Sequence, residues 1–416
     1  MINTFESTRH IADGLASLYR EVKVNFTNEE KNLLAGVDGG STTTRVVLLD
    51  SMKDVKALEE VYSIPSDFGI KEGDAILLPQ SAELFDNMES SVLVKNNDFL
   101  KNTKMLRGAL KQNSPCTESH ISSIDQKLDS AGFYLNMIDA IGYAVIQKFS
   151  NACPRVVNLY MGASLRPNDV NTESRRTQFI NRIKGTYVWS NPSLDGVLTI
   201  NIKRVDVQTE AEAQEKGFFL KAKQKAPVCF ATFEIGGSSI GTSIMKNGVK
   251  IDKAEKPLSY GGAQLLEILA DNCRDSGKLD YLPSLSVLEE AINSGYLKEG
   301  TRKISIVKEI CDAKDKLASQ IAEDFRTEVL AKMGNFSFKE VEKVFFGGRV
   351  FKRGEFGEFA KDDPRVKANG YSLSIPLASE LQKLNSGFIC FVIKSNLIPF
   401  SNCLLAAKKF GQALAK

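Results

Sequence analysis

One stretch near the start of the chain constrains its fold more than any other. In residues 33–50, LLAGVDGGSTTTRVVLLD, two apolar runs flank a polar segment that begins with Asp38. The segment continues with two glycines and four hydroxyl side chains, and it ends in Arg45. Two strands joined by a tight glycine turn are predicted, because glycine adopts positive φ at no steric cost.

This polar turn predicts a site for a phosphate group. Its backbone N–H groups and hydroxyls would form a concavity that binds anions. The Asp38 carboxylate would repel a phosphate placed directly beside it, so we expect a divalent cation with its water shell between the two. The alternative is an ordinary β-hairpin with a polar turn, since short glycine motifs occur in many proteins without a ligand.

A second copy of the pattern favours the ligand-binding interpretation. Residues 228–245, VCFATFEIGGSSIGTSIM, again place an acid, Glu234, before two glycines and two serines that lie between apolar runs. A third glycine pair, Gly347 and Gly348, follows the run KVFF. Recurrence of one local design is harder to explain by isolated hairpins than by a shared ligand.

Two such hairpins, followed by a strand and a glycine pair, resemble the actin-like ATPase superfamily, most closely the bacterial ParM-type plasmid-segregation actins. The resemblance runs from about residue 33 to the end, where IPFSNCLLAAKKFG is similar to the family's ending P-x-x-A/S-N-x-x-G-A. It implies an α/β fold of two duplicated, ribonuclease H-like domains. It also implies ATP and Mg2+ in the cleft between the domains, with GTP as the alternative nucleotide.

The resemblance also assigns the site. Asp38 and Glu234 would be catalytic acids that hold Mg2+ through water. The glycine pair before the helix AQLLEILADNC is similar to a family turn whose helix N-terminus faces the nucleotide, an ordinary glycine turn being the alternative. The residues expected to contact the nucleotide are Gly39, Gly40, Ser41, Thr42, Thr43, Arg45, Gly236, Gly237, Ser238, Ser239, Gly261, Gly262, Lys308, Asp312, Gly347, Gly348 and Arg349.

Glu210 is the third candidate catalytic residue. The apolar run around Val205 meets QTEAEAQEKG, which reads as the start of a helix that Thr209 would cap. An ATPase with two histidines needs another side chain to position water in line with the γ-phosphate, and Glu210 falls where ParM-type proteins carry that glutamate. Glu212 is the second candidate. Simple helix capping by both acids is the alternative.

A long amphipathic helix is predicted within residues 304–333. In the actin-like family the charged face of this helix passes near the adenine and ribose, which makes Lys308, Asp312 and Lys316 candidates. The alternative is that these charges form only the solvated face of the helix.

The sequence departs from the family pattern at three positions. Glu234 replaces the usual aspartate of the second loop, and Gly241 stands where an aspartate commonly follows. Arg45 stands where a lysine often reaches the phosphates, a role that arginine can keep by bidentate binding.

Helical spacing of apolar residues predicts an N-terminal helix over residues 11–22 and a long helix over 123–149, and residues 102–112 also read as helical. The predicted parts are a helical extension (1–30), domain I (31–215) with a variable subdomain (about 57–122), domain II (216–395) with a small subdomain (about 265–303), and a C-terminal helix returning to domain I (396–416).

Composition argues against several classes of function. A net charge of +3 over 416 residues makes direct nucleic-acid binding unexpected, so a link to DNA would need an adaptor protein or a local basic patch. Two histidines argue against zinc, and seven cysteines without a CxxC pair indicate reduced thiols in a cytoplasmic protein. No apolar run is long enough to span a bilayer.

Three functions remain open at this point. The resemblance implies a filament that assembles with Mg-ATP, disassembles after hydrolysis and moves plasmid DNA. A small-molecule kinase of the same superfamily would need an aspartate base, for which Asp67 and Asp206 are available. A non-hydrolysing nucleotide-binding scaffold is suggested by Glu234.

Overall fold

The structure is a computed structural model. It describes residues 2–3, 24–40, 43–51, 61–65, 69–72, 89–106, 117–118, 124–191, 194–222, 227–236, 239–251, 254, 257–258, 260–278, 285–299, 302–348, 373–392 and 397–415. The chain is divided into two compact units. The first unit comprises Arg9–Ala213 and Asn396–Lys416, and the second unit comprises Gln214–Ser395 and Met1–Thr8.

The first unit is built on a ten-stranded mixed sheet, as far as the described residues go. Its strands are β2 Phe26–Gly39, β3 Thr43–Leu49, β4 Tyr62–Pro65, β5 Gly69–Glu72, β6 Glu89–Val94, β7 Thr103–Leu106, β8 Thr117–Glu118, β9 Cys153–Leu165, β10 Gly185–Ser190 and β11 Leu198–Thr209. They lie in the order β4-β3-β2-β9-β11-β10-β6-β7-β5-β8. The three central strands β2, β9 and β11 are parallel.

The helices of the first unit include the crossovers that parallel strands require. They are α1 Ala131–Lys148, α2 Pro167–Asn171, α3 Glu173–Ile183 and, at the end of the chain, α9 Leu397–Phe410, with short 3-10 helices at Ile124–Asp129 and Gly411–Ala415. Helix α4, Glu210–Ala222, starts in this unit and crosses into the second between Ala213 and Gln214.

The second unit repeats the central plan of the first. Its strands are β1 Ile2–Asn3, β12 Cys229–Ile235, β13 Ile240–Lys246, β14 Val249–Lys250, β15 Pro257–Leu258, β16 Tyr296–Glu299, β17 Arg302–Ser305, β18 Lys343–Gly347 and β19 Ile389–Val392. Among the described strands the sheet order is β1-β19-β18-β12-β13-β14, with β15 beside β13, while β16 and β17 form a separate hairpin. Strand β12 forms a hairpin with β13 and pairs in parallel with β18, which pairs in parallel with β19. In the first unit β2 likewise forms a hairpin with β3 and pairs in parallel with β9, which pairs in parallel with β11.

The helices of the second unit pack with its sheet around one hydrophobic core. They are α5 Gly262–Asp275, α6 Leu285–Ser294, α7 Val307–Asp324 and α8 Ser374–Gln382, with a π-helical turn at Phe325–Val329 and 3-10 turns at Leu330–Lys332 and Phe338–Glu340. Within the described part of the chain, no helix is long and apolar enough to cross a membrane.

Alternation along β2 explains why the sheet of the first unit is covered on both faces. Side chains of successive strand residues point to opposite faces. Leu33, Ala35 and Val37 belong to the core shared with α1 and α3, whereas Leu34 packs with Phe400 and other residues of α9. A strand that is apolar on both faces is typical of the centre of a parallel sheet.

Three predictions of secondary structure need correction. The helix predicted over 123–149 is split at Ser130 into a 3-10 helix and α1. Residues 103–106, predicted to be helical, form strand β7, because pairing with β5 and β6 outweighs the local propensity; residues 107–112 lie outside the described residues. Strand β2 begins at Phe26, inside the predicted extension 1–30, and the helix predicted over 11–22 lies outside the described residues.

Gly142 shows why a glycine occurs inside the predicted long helix. A Cβ at this position of α1 would lie 2.5 Å from the indole ring of Trp189. Trp189 is fully buried, donates a 2.7 Å hydrogen bond from Nε1 to Asp139 and meets the ring of Tyr143 edge to face. The helix therefore accepts a residue of low propensity in order to approach the sheet closely.

Candidate functional site

The carboxyl ends of three parallel strands bring the acidic and basic candidates of the first unit together. Strand β2 ends with Asp38 and Gly39, β9 is followed by Arg166, and β11 is followed by Glu210. Parallel strands end at the same edge of a sheet, and this edge is where open α/β sheets bind ligands. Asp38 and Glu210 are 172 positions apart in the chain, yet the negative charge of Asp38 contributes to raising the pKa of Glu210.

Asp38 pairs with Arg45 across the first hairpin. The two residues are direct partners in the β2–β3 register, and Arg45 Nη1 lies 3.1 Å from Asp38 Oδ2. Both side chains are buried. Burial raises the pKa of Asp38, while the positive charges of Arg45 and Lys127 act in the opposite direction. The arginine therefore compensates a carboxylate that would otherwise be unfavourable inside the protein.

Glu210 is the first residue of α4. Thr209 caps this helix, because its Oγ1 accepts a 3.2 Å hydrogen bond from the backbone N–H of Glu212. The predicted cap is confirmed. Burial raises the pKa of Glu210 above its usual value, with Lys127 and Arg166 opposing this effect and Asp38 and Asp169 adding to it. A carboxylate at a helix N-terminus also benefits from the helix dipole.

The segment that follows β9 contains a buried carboxylate that pairs with two arginines. Asp169 on α2 is 1% exposed and accepts hydrogen bonds from Arg166 Nε at 3.1 Å and from Arg175 Nε at 2.5 Å. Arg166 was not among the predicted site residues. The only signal in the sequence was its position directly after a strand, which becomes informative once the neighbouring strands are known.

Asn402 on α9 holds the three strands in register at this edge. Its Nδ2 donates to the backbone oxygen of Val37 on β2 at 2.8 Å and to Ser164 Oγ on β9 at 3.1 Å. Its Oδ1 accepts a 2.8 Å hydrogen bond from Gln208 Nε2 on β11. Asn402 is fully buried, and each partner stands one or two residues before a candidate site residue.

In the second unit three predicted turns converge in the same way. Glu234 on β12 is the direct register partner of Gly347 on β18. The backbone N–H of Gly236, in the second loop, donates to Ser239 O at 2.9 Å, and the N–H of Gly262, at the start of α5, donates to Gly236 O at 2.8 Å. The second loop, the turn before α5 and the late glycine pair therefore lie together.

Gly348 needs to be glycine for two independent reasons. Its φ of +106° is accessible almost only to glycine, and a Cβ would lie 2.1 Å from the backbone oxygen of Ile235. The late glycine turn is thus folded tightly against the end of β12.

A charged residue of helix α7 with an unusual environment is Lys314, which was not one of the expected candidates. Lys308, Asp312 and Lys316 are exposed, and their nucleotide contacts remain predictions. Lys314 is fully buried, and burial lowers its pKa to about 8. The signal for Lys314 was present in the sequence, because Ile310 and Leu317 place it on the apolar face of the helix.

Several predicted residues cannot be placed further. Ser41, Thr42, Gly237, Ser238 and Arg349 lie outside the described residues, and Thr43 begins β3 without a described side chain. The described residues contain no group of three or more His, Cys, Asp or Glu side chains that could hold a metal ion. Single carboxylates, such as those of Asp38 and Glu234, fit Mg2+ that is bound through water and through the oxygens of a phosphate ligand.

Comparison of the fold with solved structures gives consistent results. An archaeal actin homolog, Ta0583, matches with a TM-score of 0.60 and 11% identity, over 92% of this chain and 99% of that one. A 15-stranded ParM filament from Clostridium botulinum matches with a TM-score of 0.58 and 12% identity, over 92% and 99%. Bacillus thuringiensis ParM with ADP matches with a TM-score of 0.54 and 11% identity, over 91% and 99%.

At these identities the likeness shows the fold alone. No family model matches the sequence. No curated protein matches it either. The structural matches cover nearly the whole of each chain, and the chain therefore has the actin-like fold that the three glycine motifs predicted.

Proposed function

We propose that this protein is an actin-like ATPase that polymerises with Mg-ATP and disassembles after hydrolysis. The observation that carries the proposal is the position of Glu210. Its carboxylate begins α4 at the carboxyl edge of the parallel strands, in the same cluster of charges as Asp38 on the first hairpin. A carboxylate with a raised pKa is suited to accept a proton from water near neutral pH.

The remaining roles follow from the residues at the two strand edges. The first and second hairpin loops supply backbone N–H groups and hydroxyls for the phosphates, and the late glycine turn supplies a close backbone approach for the nucleoside. In this proposal Asp38 and Glu234 would hold Mg2+ through its bound water. When bound, Mg2+ neutralises charge on the β- and γ-phosphate oxygens. The nucleotide is ATP in this proposal, with GTP as the alternative.

Self-association is supported by the filament structures that share the fold. Those structures are described as filaments of other proteins, at 12% and 14% identity. We extend the property to this chain and place the polymer in the cytoplasm. We further propose that it serves plasmid DNA segregation through a DNA-binding adaptor, because the net charge of +3 gives the chain little attraction of its own for DNA.

Simultaneous measurement of right-angle light scattering and phosphate release tests the proposal. With Mg-ATP, scattering should rise and later decay while phosphate is released. Glu210→Gln should assemble but stay assembled, since it removes the proton acceptor without changing the size of the side chain. Glu173→Gln is the matched control, because Glu173 is the exposed first residue of α3 and is not one of the candidate site residues.

Two results would contradict the proposal. Absence of scattering at every protein concentration, together with phosphate transfer only when a small acceptor is added, would favour the kinase. ATP binding without phosphate release in the wild type would favour a non-hydrolysing scaffold.

A further inference from the structure

Lys127 is the cation that acts on both acidic candidates of the first unit. Its Nζ lies 3.8 Å from Glu210 Oε1, and its side chain is 11% exposed. Against the effect of burial, Arg45 lowers the pKa of Asp38 and Arg166 lowers that of Glu210, whereas Lys127 lowers both. A single ammonium group therefore acts electrostatically on two carboxylates at the carboxyl ends of β2 and β11, the strands on either side of β9.

The segment that carries Lys127 is held firmly. The carbonyl oxygen of Leu128 accepts hydrogen bonds from Tyr134 Oη at 2.8 Å and from Arg182 Nη1 at 2.6 Å. Asp129 accepts a further bond from Arg182 at 2.8 Å and one from Gln178 at 2.7 Å. The 3-10 helix is thus tied to α1 on one side and to α3 on the other. Such a support is what a precisely placed functional group requires.

The ammonium group itself is placed by contacts that leave its donors available. It lies 4.8 Å from the centre of the Phe133 ring, a cation–π contact that holds the side chain without using an N–H donor. The distance of 3.8 Å to Glu210 is longer than a hydrogen bond. Among the described residues no acceptor is hydrogen-bonded to Lys127, so small movements of Glu210 suffice to close the pair.

We propose that Lys127 is a positioning residue that acts through Glu210. Its ammonium group orients the Glu210 carboxylate toward the attacking water and keeps it ionised and ready to accept a proton. The inference rests on the proposed ATPase function and adds a residue that the sequence did not single out. Lys127 does not bind the nucleotide in this proposal, and its effect is transmitted by the carboxylate.

Phosphate-release kinetics with Lys127→Met and Lys127→Arg test this inference. We expect Lys127→Met to lower kcat by about tenfold or more, a share of the 10²–10⁴-fold that a placed acid or base contributes, while KM for ATP changes little. Lys127→Arg should restore most of kcat, because it restores the positive charge. A purely structural role would not separate kcat from KM or depend on charge.

A double-mutant cycle identifies the residue through which Lys127 acts. The double variant Lys127→Met/Glu210→Gln should release phosphate no more slowly than Glu210→Gln alone, since the lysine has nothing left to position. The matched control is Lys148→Met. Lys148 also pairs with an acid, Asp50, at 3.7 Å and lies over the ring of Phe149 at 5.7 Å, but it stands at the far end of α1.

The outcomes separate the inference from the proposed function. A wild type that releases no phosphate defeats both. If the wild type releases phosphate and Lys127→Met releases it at the same rate, the role of Lys127 is overturned and the proposed ATPase function stands. Additive losses in the double variant, or a raised KM with unchanged kcat, would also overturn the inference, because the lysine would then act on the nucleotide directly. If Lys127→Met does not fold, Lys127→Arg and Lys127→Gln provide the same comparison.

Discussion

Replacement of Asn402 by alanine tests whether one buried side chain organises the edge of the first unit. The change removes three hydrogen bonds, to Val37 O, Ser164 Oγ and Gln208 Nε2. A typical buried hydrogen bond contributes about 1 kcal/mol net, and partners left without a bond add to the cost. We therefore expect the first unit to lose about 3–4 kcal/mol of stability.

The chain offers a specific probe for this measurement. Trp189 is its one tryptophan and is fully buried in the core of the first unit. Urea unfolding followed by tryptophan fluorescence therefore reports on the first unit, whatever the second unit does. Because a protein with two units need not unfold in one step, a local probe is essential.

Two comparisons make the Asn402 prediction refutable. Asn168→Ala removes an exposed asparagine from α2 and should change the same transition by less than about 0.5 kcal/mol. If Asn402→Ala costs less than about 1 kcal/mol, the value of a single ordinary hydrogen bond, the three strand ends do not depend on this side chain. Phosphate release should fall together with stability, because Asp38, Arg166 and Glu210 lie at the carboxyl ends of the strands that Asn402 joins.

Two further predictions concern the second unit. Circular dichroism during urea unfolding measures both, once the transition that Trp189 fluorescence assigns to the first unit is set aside. Gly348→Ala should lower the free energy of unfolding by about 3 kcal/mol or more, because it combines a φ of +106° with a backbone clash. Gly277 has a φ of +66° and open space around it, so Gly277→Ala should cost only about 1–2 kcal/mol. Equal costs would contradict the close approach of Gly348 to Ile235. Burial gives Lys314 a pKa of about 8 in the folded protein against the ordinary lysine value of 10.5, so the unfolded chain binds more protons between these values and stability rises with pH. Between pH 7 and about pH 9.5, the free energy of unfolding of the wild type should rise by about 2 kcal/mol relative to that of Lys314→Met. If the difference in stability between the two proteins does not change with pH, Lys314 does not have the lowered pKa.

Local patterns in the sequence, through the family resemblance that they carry, were sufficient to predict the fold. Acid, glycine and hydroxyl residues between apolar runs predicted both hairpins, and the structural matches confirm the actin-like fold. The Thr209 cap was also predictable, because a helix N-terminus is decided by residues within one turn. The roles assigned to the individual site residues stay predictions.

The composition of the site depended on tertiary structure. Arg166, Lys127 and Asn402 contact or influence residues that are 40 to more than 300 positions away, and no local pattern encodes such distances. Strand β7 was mistaken for a helix for the same reason, since its partners on β5 and β6 are supplied by other parts of the chain. Lys314 shows the intermediate case, in which helical spacing placed the residue on the apolar face but only the packed core shows that its charge is buried.

The sequence by itself therefore determined the two hairpins, the third glycine turn and the capped start of α4, because each depends on the conformational preferences of neighbouring residues. The tertiary structure decided which charges meet at the end of the parallel strands. It did so because parallel pairing aligns the carboxyl ends of segments that are far apart in the chain, and burial then sets the pKa of each group through the neighbours it acquires.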